Sequence, residues 1–299
     1  MRYNKTGILF GIAANTLWGL FPLYWPLLKK ASALEIVSHR AVWSLFFCLI
    51  ILALTKKLKN TIKLLTKKGI ALRLAAAAAL ISVNWTVYIW AVNHEHVVEA
   101  ALGYYINPLV MIAFGTIFLH EKLSKLQWFA IGVAAIGAAV LTIDYGHLPW
   151  VAVALAASWG TYGYVKKKLG LESLVGLALE TLLALPFYGG YILYLQITGV
   201  GQLGNSPGLT FLLIGAGVVT AIPLLLFNGA ANRVPYSLMG LFQYITPTLT
   251  FAIGVWIRHE AMPAARWIGF FVIWVALIAL AFDLVKSGSA ADNRITQID

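Results

Sequence analysis

Glu180 is an acidic residue placed where proton chemistry is possible. Apolar residues surround it, with Leu177-Ala-Leu179 before it and Leu182-Leu-Ala-Leu-Pro186 shortly after it. A carboxyl in such surroundings can take up and release protons near neutral pH. We therefore interpret Glu180 as a candidate for proton coupling or for binding a substrate amine. The alternative is a structural carboxyl that is hydrogen-bonded between helices.

Amide, aromatic and basic side chains lie in the other apolar segments. Amides in hydrocarbon need partners and usually face inward, and aromatic rings with a few amides suit an apolar or amphipathic solute. Each Trp or Tyr alone also fits an interfacial belt or helix packing. Together these residues predict a substrate cavity lined by helices 1–4 and 6–9. The candidates are Asn15, Trp18, His39, Arg40, Asn84, Trp85, Tyr88, Trp90, Asn93, Glu99, Tyr104, Tyr105, Asn107, Trp159, Tyr162, Asn228, Gln243 and Tyr244.

Some of these residues carry a second interpretation. Arg40 either anchors its helix at the membrane interface or pairs with an acidic group such as Glu99. Glu99 either takes part in transport or is a helix-start carboxylate at the positive end of the dipole. Pro108 and Pro247 either bend helices at the substrate site or are packing kinks. His94-Glu95-His96 lacks a third spaced ligand, so neither a metal site nor a cofactor is expected.

Composition shows which elements must hold these side chains. The chain is 61% hydrophobic and 11% charged, whereas soluble domains carry about 25% charged residues. This excludes an ordinary soluble domain, a disordered chain and a basic nucleic-acid-binding protein. A bilayer core needs about 20 apolar residues per helix. The charge-poor runs predict ten spans, near 7–27, 35–54, 72–93, 98–119, 126–143, 148–165, 173–194, 209–230, 237–257 and 264–284.

The basic residues predict the orientation of these spans. With the N-terminus in the cytoplasm, 17 Lys and Arg residues lie on the inner side and 5 on the outer side. The positive-inside rule therefore predicts that both termini are cytoplasmic.

An internal repeat divides the chain in two. Leu102–Leu141 aligns with Leu241–Leu280 at an offset of 139, with 11 identities in 40 positions. Each half then holds five spans, and an odd number means that the second half is inverted in the membrane. Inverted repeats are typical of secondary transporters, whose substrate sites lie near the midplane between the repeats.

Four groups of residues, in order along the chain, resemble the RarD permeases of the EamA branch of the drug/metabolite transporter superfamily. The resemblance covers about residues 5–285 and implies a bacterial inner-membrane permease, usually a predicted exporter of metabolites or drugs. Members carry the label "chloramphenicol-sensitive protein". The groups are His39-Arg40-Ala-Val-Trp43-Ser44, Asn84-Trp85 with Ile89-Trp90-Ala-Val-Asn93, Glu99-Ala with Leu102-Gly103-Tyr104-Tyr-Ile-Asn107-Pro108-Leu109, and Phe242-Gln243-Tyr244-Ile245-x-Pro247-Thr248.

The predicted fold class is an all-α integral membrane protein with ten transmembrane helices arranged as two inverted five-helix repeats. The expected units are residues 1–145, residues 146–285 and a cytoplasmic tail, 286–299. The predicted function is secondary transport of small metabolites or amphipathic drugs, proton-coupled or by facilitated diffusion, by a monomer whose partners are its substrate and membrane lipid. The alternatives are a membrane-embedded lipid-modifying enzyme and a non-transporting sensor. No HExxH or aspartate-rich motif supports an enzyme.

Overall fold

The computed structural model describes residues 4–119, 125–146, 148–231, 233 and 242–295. Within its helices, the side chains that it does not describe are those of residues 108, 109, 111–119, 127, 130, 138, 145, 167, 228, 231 and 280–295.

Long helices make up most of the described chain, and no strand occurs in that part of it. The predicted all-helical fold class is thereby confirmed. Short helical turns at Phe21–Tyr24 and Trp25–Leu28 extend the first helix, and a π-helical turn at Ile253–Ile257 extends the ninth. The long helices and the short ninth are α1 (Lys5–Gly19), α2 (Ala33–Leu54), α3 (Lys68–Asn93), α4 (Val97–Leu119), α5 (Lys125–Tyr145), α6 (Trp150–Leu169), α7 (Ser173–Ile197), α8 (Pro207–Ala231), α9 (Ile245–Ala252) and α10 (Ala264–Ile295).

Several of these helices are long and apolar enough to cross a membrane. Among the described residues, five segments meet that test: Lys5–Leu28, Ala33–Leu54, Lys68–Asn93, Ser173–Ile197 and Pro207–Phe227. Shorter apolar helices cover Ile131–Asp144, Ile245–Ile257 and Ala264–Ala279. A multi-pass membrane protein follows, and the full set of ten spans stays a prediction.

The helix ends follow from local sequence. The Asn4 side chain accepts from Gly7 N at 3.0 Å and so caps α1, and Ser32 Oγ accepts from Glu35 N at 3.1 Å at the start of α2. Such caps satisfy amides that have no partner inside the helix. At the other end of α6, Gly170 has a φ of +61°. Only glycine adopts that left-handed conformation without steric cost, so α6 ends there.

The helices pack in pairs that come in equivalent sets. Helix α1 packs on α8 and α9, and α6 packs on α3 and α4; α2 packs on α8, and α7 on α3. If every helix is replaced by the helix five places along the chain, each of these contacts corresponds to another contact in the same set. For example, α1–α8 corresponds to α6–α3. The pairs α2–α7, α4–α9 and α5–α10 map onto themselves under the same exchange.

Helices α4 and α9 run in opposite directions. Near the start of α4, a Cβ built on Gly254 would lie 2.8 Å from Val98 Cγ2. Further along α4, Tyr105 Oη donates to Thr248 Oγ1 at 3.0 Å. Residue numbers therefore rise along α4 while they fall along α9. Each of these two helices contains part of one aligned sequence segment, and these parts cross the bundle antiparallel to each other.

Candidate functional site

Arg40 lies inside the bundle and is enclosed by aromatic side chains. It is 4% exposed, and its guanidinium carbon lies 4.0 Å from the centre of the Trp85 ring, 5.1 Å from Trp25 and 5.5 Å from Phe21. Its Nε donates to Thr220 Oγ1 at 2.8 Å. We call these five residues the Arg40 cluster. It joins α2, α3 and α8 to the turn after α1.

The guanidinium has no carboxylate partner among the described residues. Among those residues it donates a hydrogen bond to the Thr220 hydroxyl, and its Nη1 atom is buried without a partner. Glu99, the acid considered for it from the sequence, instead accepts from Val151 N at 2.9 Å and pairs with His96 at 3.1 Å. Because arginine stays protonated in proteins, a full positive charge is buried here.

A polar and aromatic group extends from this cluster toward α4 and α6. Asn84 is fully buried, and its Nδ2 donates to Leu155 O at 3.1 Å and to Ser158 Oγ at 3.0 Å. The Tyr104 ring lies 5.6 Å from that of Tyr88 and 6.4 Å from that of Trp159. The structure thus brings together Arg40, Asn84, Trp85, Tyr88, Tyr104 and Trp159 from the predicted set.

The apolar sequence neighbours of Glu180 suggested an isolated carboxyl. The structure shows that Glu180 is buried but has two polar partners. Its Oε1 accepts from Lys166 Nζ at 2.6 Å and its Oε2 from Tyr162 Oη at 3.0 Å. We call these three residues the Glu180 cluster. A Cβ on Gly176 would collide with Lys166 Nζ. Glycine at that position of α7 therefore leaves the path by which the lysine reaches the carboxylate.

A small cavity connects the two clusters. It has a volume of about 10 Å³ and is lined by residues that include Trp85, Glu180 and Tyr188. That volume holds about one water molecule. This cavity is too small for a substrate in this conformation, so a substrate at this point would need the helices to separate.

Two carboxylates join helix ends near the start of α6, whereas the Glu180 cluster lies near the end of α6. Glu260 accepts from Val97 N at 2.6 Å and from Val98 N at 2.8 Å, which caps α4. Glu99 caps α6 through Val151 N rather than its own helix. Burial raises the pKa of Glu260, while the two backbone bonds and nearby His96 and Arg258 lower it. We call Glu99, Glu260 and the amides they bind the end clamp.

Other predicted residues hold helices together away from this centre. Thr246 Oγ1 donates to the backbone carbonyl oxygen of Asn15 at 3.0 Å, and this bond connects α1 to α9. Trp18 packs on Phe227 with ring centres 5.5 Å apart. Trp90 stacks on His94 at 4.7 Å near the end clamp.

Several other predicted residues are buried with few polar partners among the described residues. His39 is buried and accepts from Trp43 Nε1 at 3.3 Å, while its Nε2 has no partner in the described part. Asn93 Oδ1 and Asn107 Oδ1 are also buried without one there. Gln243 and Tyr244 are half-buried beside the start of α9. Tyr105 instead binds Thr248, as described above.

Pro108, Pro247 and Asn228 complete the set of predicted site residues. The side chains of Pro108 and Asn228 lie outside the described residues. Pro247 lies in the first turn of α9, which begins at Ile245. A proline there interrupts no hydrogen bond within Ile245–Ala252, and residues 234–241 lie outside the described residues, so a bend at Pro247 stays a prediction. The irregular turn of this helix is the π-helical segment Ile253–Ile257.

Sequence reasoning missed several partners in the site. Phe21, Trp25 and Thr220 complete the Arg40 cluster, but nothing in their local sequence marks them. Lys166 belongs to a run of three lysines that resembles a solvated loop. A signal existed, because Lys166 and Glu180 have opposite charges and flank a single turn. Glu260 was visible only as the repeat equivalent of Glu121, which lies outside the described residues.

Comparison with known proteins gives relatives that match nearly the whole chain and a family model that matches its first half. The EamA-like transporter family matches residues 5–143. Protein RarD of Streptomyces exfoliatus is 46% identical over 297 residues, covering 98% of this chain and 93% of that protein. An uncharacterized transporter of Bacillus subtilis strain 168, YojE, is 44% identical and covers 97% of this chain and 98% of its own.

A solved crystal structure resembles the fold. Its TM-score is 0.60 at 16% sequence identity, and the match covers 94% of this chain and 98% of the other. At this identity the likeness concerns the arrangement of the helices alone.

Proposed function

Because the chain belongs to the EamA-like transporter family, as a RarD-type permease, we propose that it exports small metabolites or amphipathic drugs by alternating access. The protein sits in a bacterial inner membrane, works as a monomer surrounded by lipid and has both termini in the cytoplasm. A permease acts by moving its solute unchanged, so this proposal needs neither a cofactor nor a catalytic residue.

The working unit in this proposal is the pair of inverted five-helix repeats, 1–145 and 146–285, followed by the tail 286–299. Two observations support it. The main helix contacts are preserved when each helix is exchanged for the one five places along, and the parts of the aligned segments in α4 and α9 run antiparallel. Two inverted halves can exchange conformations, which opens the site to one side and then to the other.

The contact between α4 and α9 carries the proposal. In this conformation Glu260 from the loop after α9 binds two amides at the start of α4. The end clamp thus closes one side of the bundle, and positive-inside counting makes that side external. Opening to the outside requires the start of α4 to separate from the end of α9.

A disulfide between these helices tests this mechanism. A Cβ on Gly254 would lie 3.4 Å from Val97 Cβ, close to the spacing of about 3.5–4.5 Å that a disulfide needs. The natural Cys48 is buried. In liposomes, Val97→Cys/Gly254→Cys protein should lose flux of the radiolabelled probes that the wild type carries on oxidation and regain it on reduction.

The two single-cysteine variants are the matched controls and should respond to neither treatment. The panel would extend from chloramphenicol to small carboxylic acids and amines, each measured against empty liposomes. Full flux by the oxidised, cross-linked protein would refute separation of α4 from α9. No flux of any probe by the wild type would count against transport itself.

Labelling of single cysteines checks the orientation. Lys30, between α1 and α2, and Lys59, between α2 and α3, are both exposed. In intact cells a membrane-impermeant maleimide should label Lys30→Cys, whereas Lys59→Cys should react only after the membrane is permeabilised. Wild-type protein, whose Cys48 is buried, gives the background. The reverse labelling pattern would contradict cytoplasmic termini.

Proton coupling remains part of the proposal through the Glu180 cluster. Glu180 lines the central cavity and holds Lys166 by an ion pair. A proton on Glu180 removes the charge that holds the lysine, which loosens α6 from α7. Proton uptake would in this way bias the bundle toward opening beside the cavity.

A further inference from the structure

We propose that Arg40 is the docking group for an anion, so that the substrates of this permease are small organic acids with an apolar or aromatic body. The proposal rests on the proposed transport function and specifies its substrate class.

The first support is the uncompensated charge. Arg40 is 4% exposed, its Nη1 is buried without a partner, and its Nε bond goes to a neutral hydroxyl. Ionisable groups inside a membrane protein usually pair with each other. Since none of the described carboxylates lies within ion-pair distance, a ligand carboxylate is the missing partner.

The nearby acids are already occupied by other groups. Glu180 lines the same cavity as Trp85, but Lys166 and Tyr162 hold both of its oxygens. Glu35, one turn before Arg40 on α2, accepts instead from Gln202 N at 2.6 Å. The charges of the Glu180 cluster cancel, so the centre keeps the net positive charge of Arg40.

The second support is the composition of the surrounding wall. The rings of Trp85, Trp25 and Phe21 surround the guanidinium, and the rings of Tyr88 and Tyr104, 5.6 Å apart, add to the aromatic surface on α3 and α4. An anion can bind Nη1 while its apolar body packs against these rings. A free phosphate or chloride would leave that aromatic surface without a partner.

The position of Arg40 also suits a transport site. Its cluster joins α2, α3 and α8 to the turn after α1, and these helices come from both halves of the chain. Substrate sites between inverted repeats lie near the midplane. A ligand at Arg40 would therefore contact both halves and would sense their relative movement.

Three nearly isosteric probes test the charge requirement on the wild-type protein. These are 3-phenylpropionate, its neutral amide and the cationic 3-phenylpropylamine, measured by thermal shift in detergent with gluconate as the background anion. We expect the carboxylate to raise the melting temperature in a concentration-dependent way and the other two to bind at least about tenfold more weakly. Equal binding of the three, or stabilisation by chloride alone, would overturn the proposal.

Variants then assign the effect to this residue. In Arg40→Gln, 3-phenylpropionate affinity should fall about tenfold or more, and Arg40→Lys should keep the preference for the carboxylate. Lys30→Gln is the matched control, because it removes the same charge from an exposed loop. Unchanged affinity in Arg40→Gln overturns the proposal. If that variant does not fold, Arg40→Lys and the wild-type series decide.

Flux separates this inference from the transport proposal. Liposomes that carry the amide or the amine but neither bind nor carry the carboxylate would refute the anion site and leave transport intact. Carboxylate binding that depends on Arg40, without flux of any probe, would refute transport and leave the anion site intact.

Discussion

Lys166→Met is expected to lower the stability of the folded protein by about 3 kcal/mol, because it leaves Glu180 buried without its counter-charge. The side chain of Glu180 is 1% exposed and that of Lys166 is 18% exposed. Breaking a buried pair costs more than the pair itself contributes, since the remaining charge lacks both water and a partner. Thermal or denaturant unfolding in detergent measures the loss.

Lys168→Met is the matched control. It removes the same charge near the end of the same helix, but Lys168 is exposed, so its effect on stability should be small. Equal losses in the two variants would mean that the buried ion pair is not the cause.

The double variant Lys166→Met/Glu180→Gln should recover most of the lost stability. It removes both charges while the amide can still accept from Tyr162. Residues in direct contact give non-additive effects, and here the coupling energy should exceed about 1 kcal/mol. Additive losses would show that the two side chains do not act as a pair.

The same variants address proton coupling. If Glu180 carries the coupled proton, Glu180→Gln should transport with an altered pH profile. The double variant Lys166→Met/Glu180→Gln should show the same altered profile although its stability is recovered. Full transport rate with an unchanged pH profile in the double variant would leave the Glu180 cluster a purely structural role.

Gly217→Ala is the second substitution expected to have a large effect, since it forces α2 and α8 apart. A Cβ at Gly217 would lie 2.5 Å from Trp43 Cβ and 2.6 Å from Ser44 N, and it would also collide with the Trp43 carbonyl carbon. Two of these three atoms belong to the backbone, which has no rotamer that relieves the clash. Small residues at helix interfaces in membranes permit this close approach.

The expected loss for Gly217→Ala is about 2–3 kcal/mol. Gly208→Ala is the control in the same helix, because a Cβ there meets nothing within 4 Å. That control should be neutral or slightly stabilising, as alanine favours a helix over glycine by about 1 kcal/mol. Equal melting temperatures for the two variants would contradict the close contact of α2 with α8.

Gly217→Ala also bears on the Arg40 cluster. Thr220 lies about one turn beyond Gly217 on α8 and accepts from Arg40 Nε at 2.8 Å. A shift of α8 would lengthen that bond and would weaken 3-phenylpropionate binding along with stability. Gly208→Ala should leave 3-phenylpropionate binding unchanged.

The sequence alone determined the class of protein and the approximate limits of several helices, although the last span, predicted as 264–284, continues as helix to Ile295. A deficit of charge over long apolar runs permits only helices that satisfy their own backbone groups in lipid. Predicted spans such as 35–54 and 173–194 therefore agree closely with Ala33–Leu54 and Ser173–Ile197. The ordered motifs from His39-Arg40 to Pro247-Thr248 also identified the family.

Tertiary structure decided which side chains meet. Arg40 binds Thr220, 180 positions away, and Glu260 binds the amide of Val97, 163 positions away. Local sequence fixes which face of a helix a residue occupies, but not which helix lies against that face. Packing also removed the apparent isolation of Glu180, because Lys166 bends back along α6 into space that Gly176 leaves open.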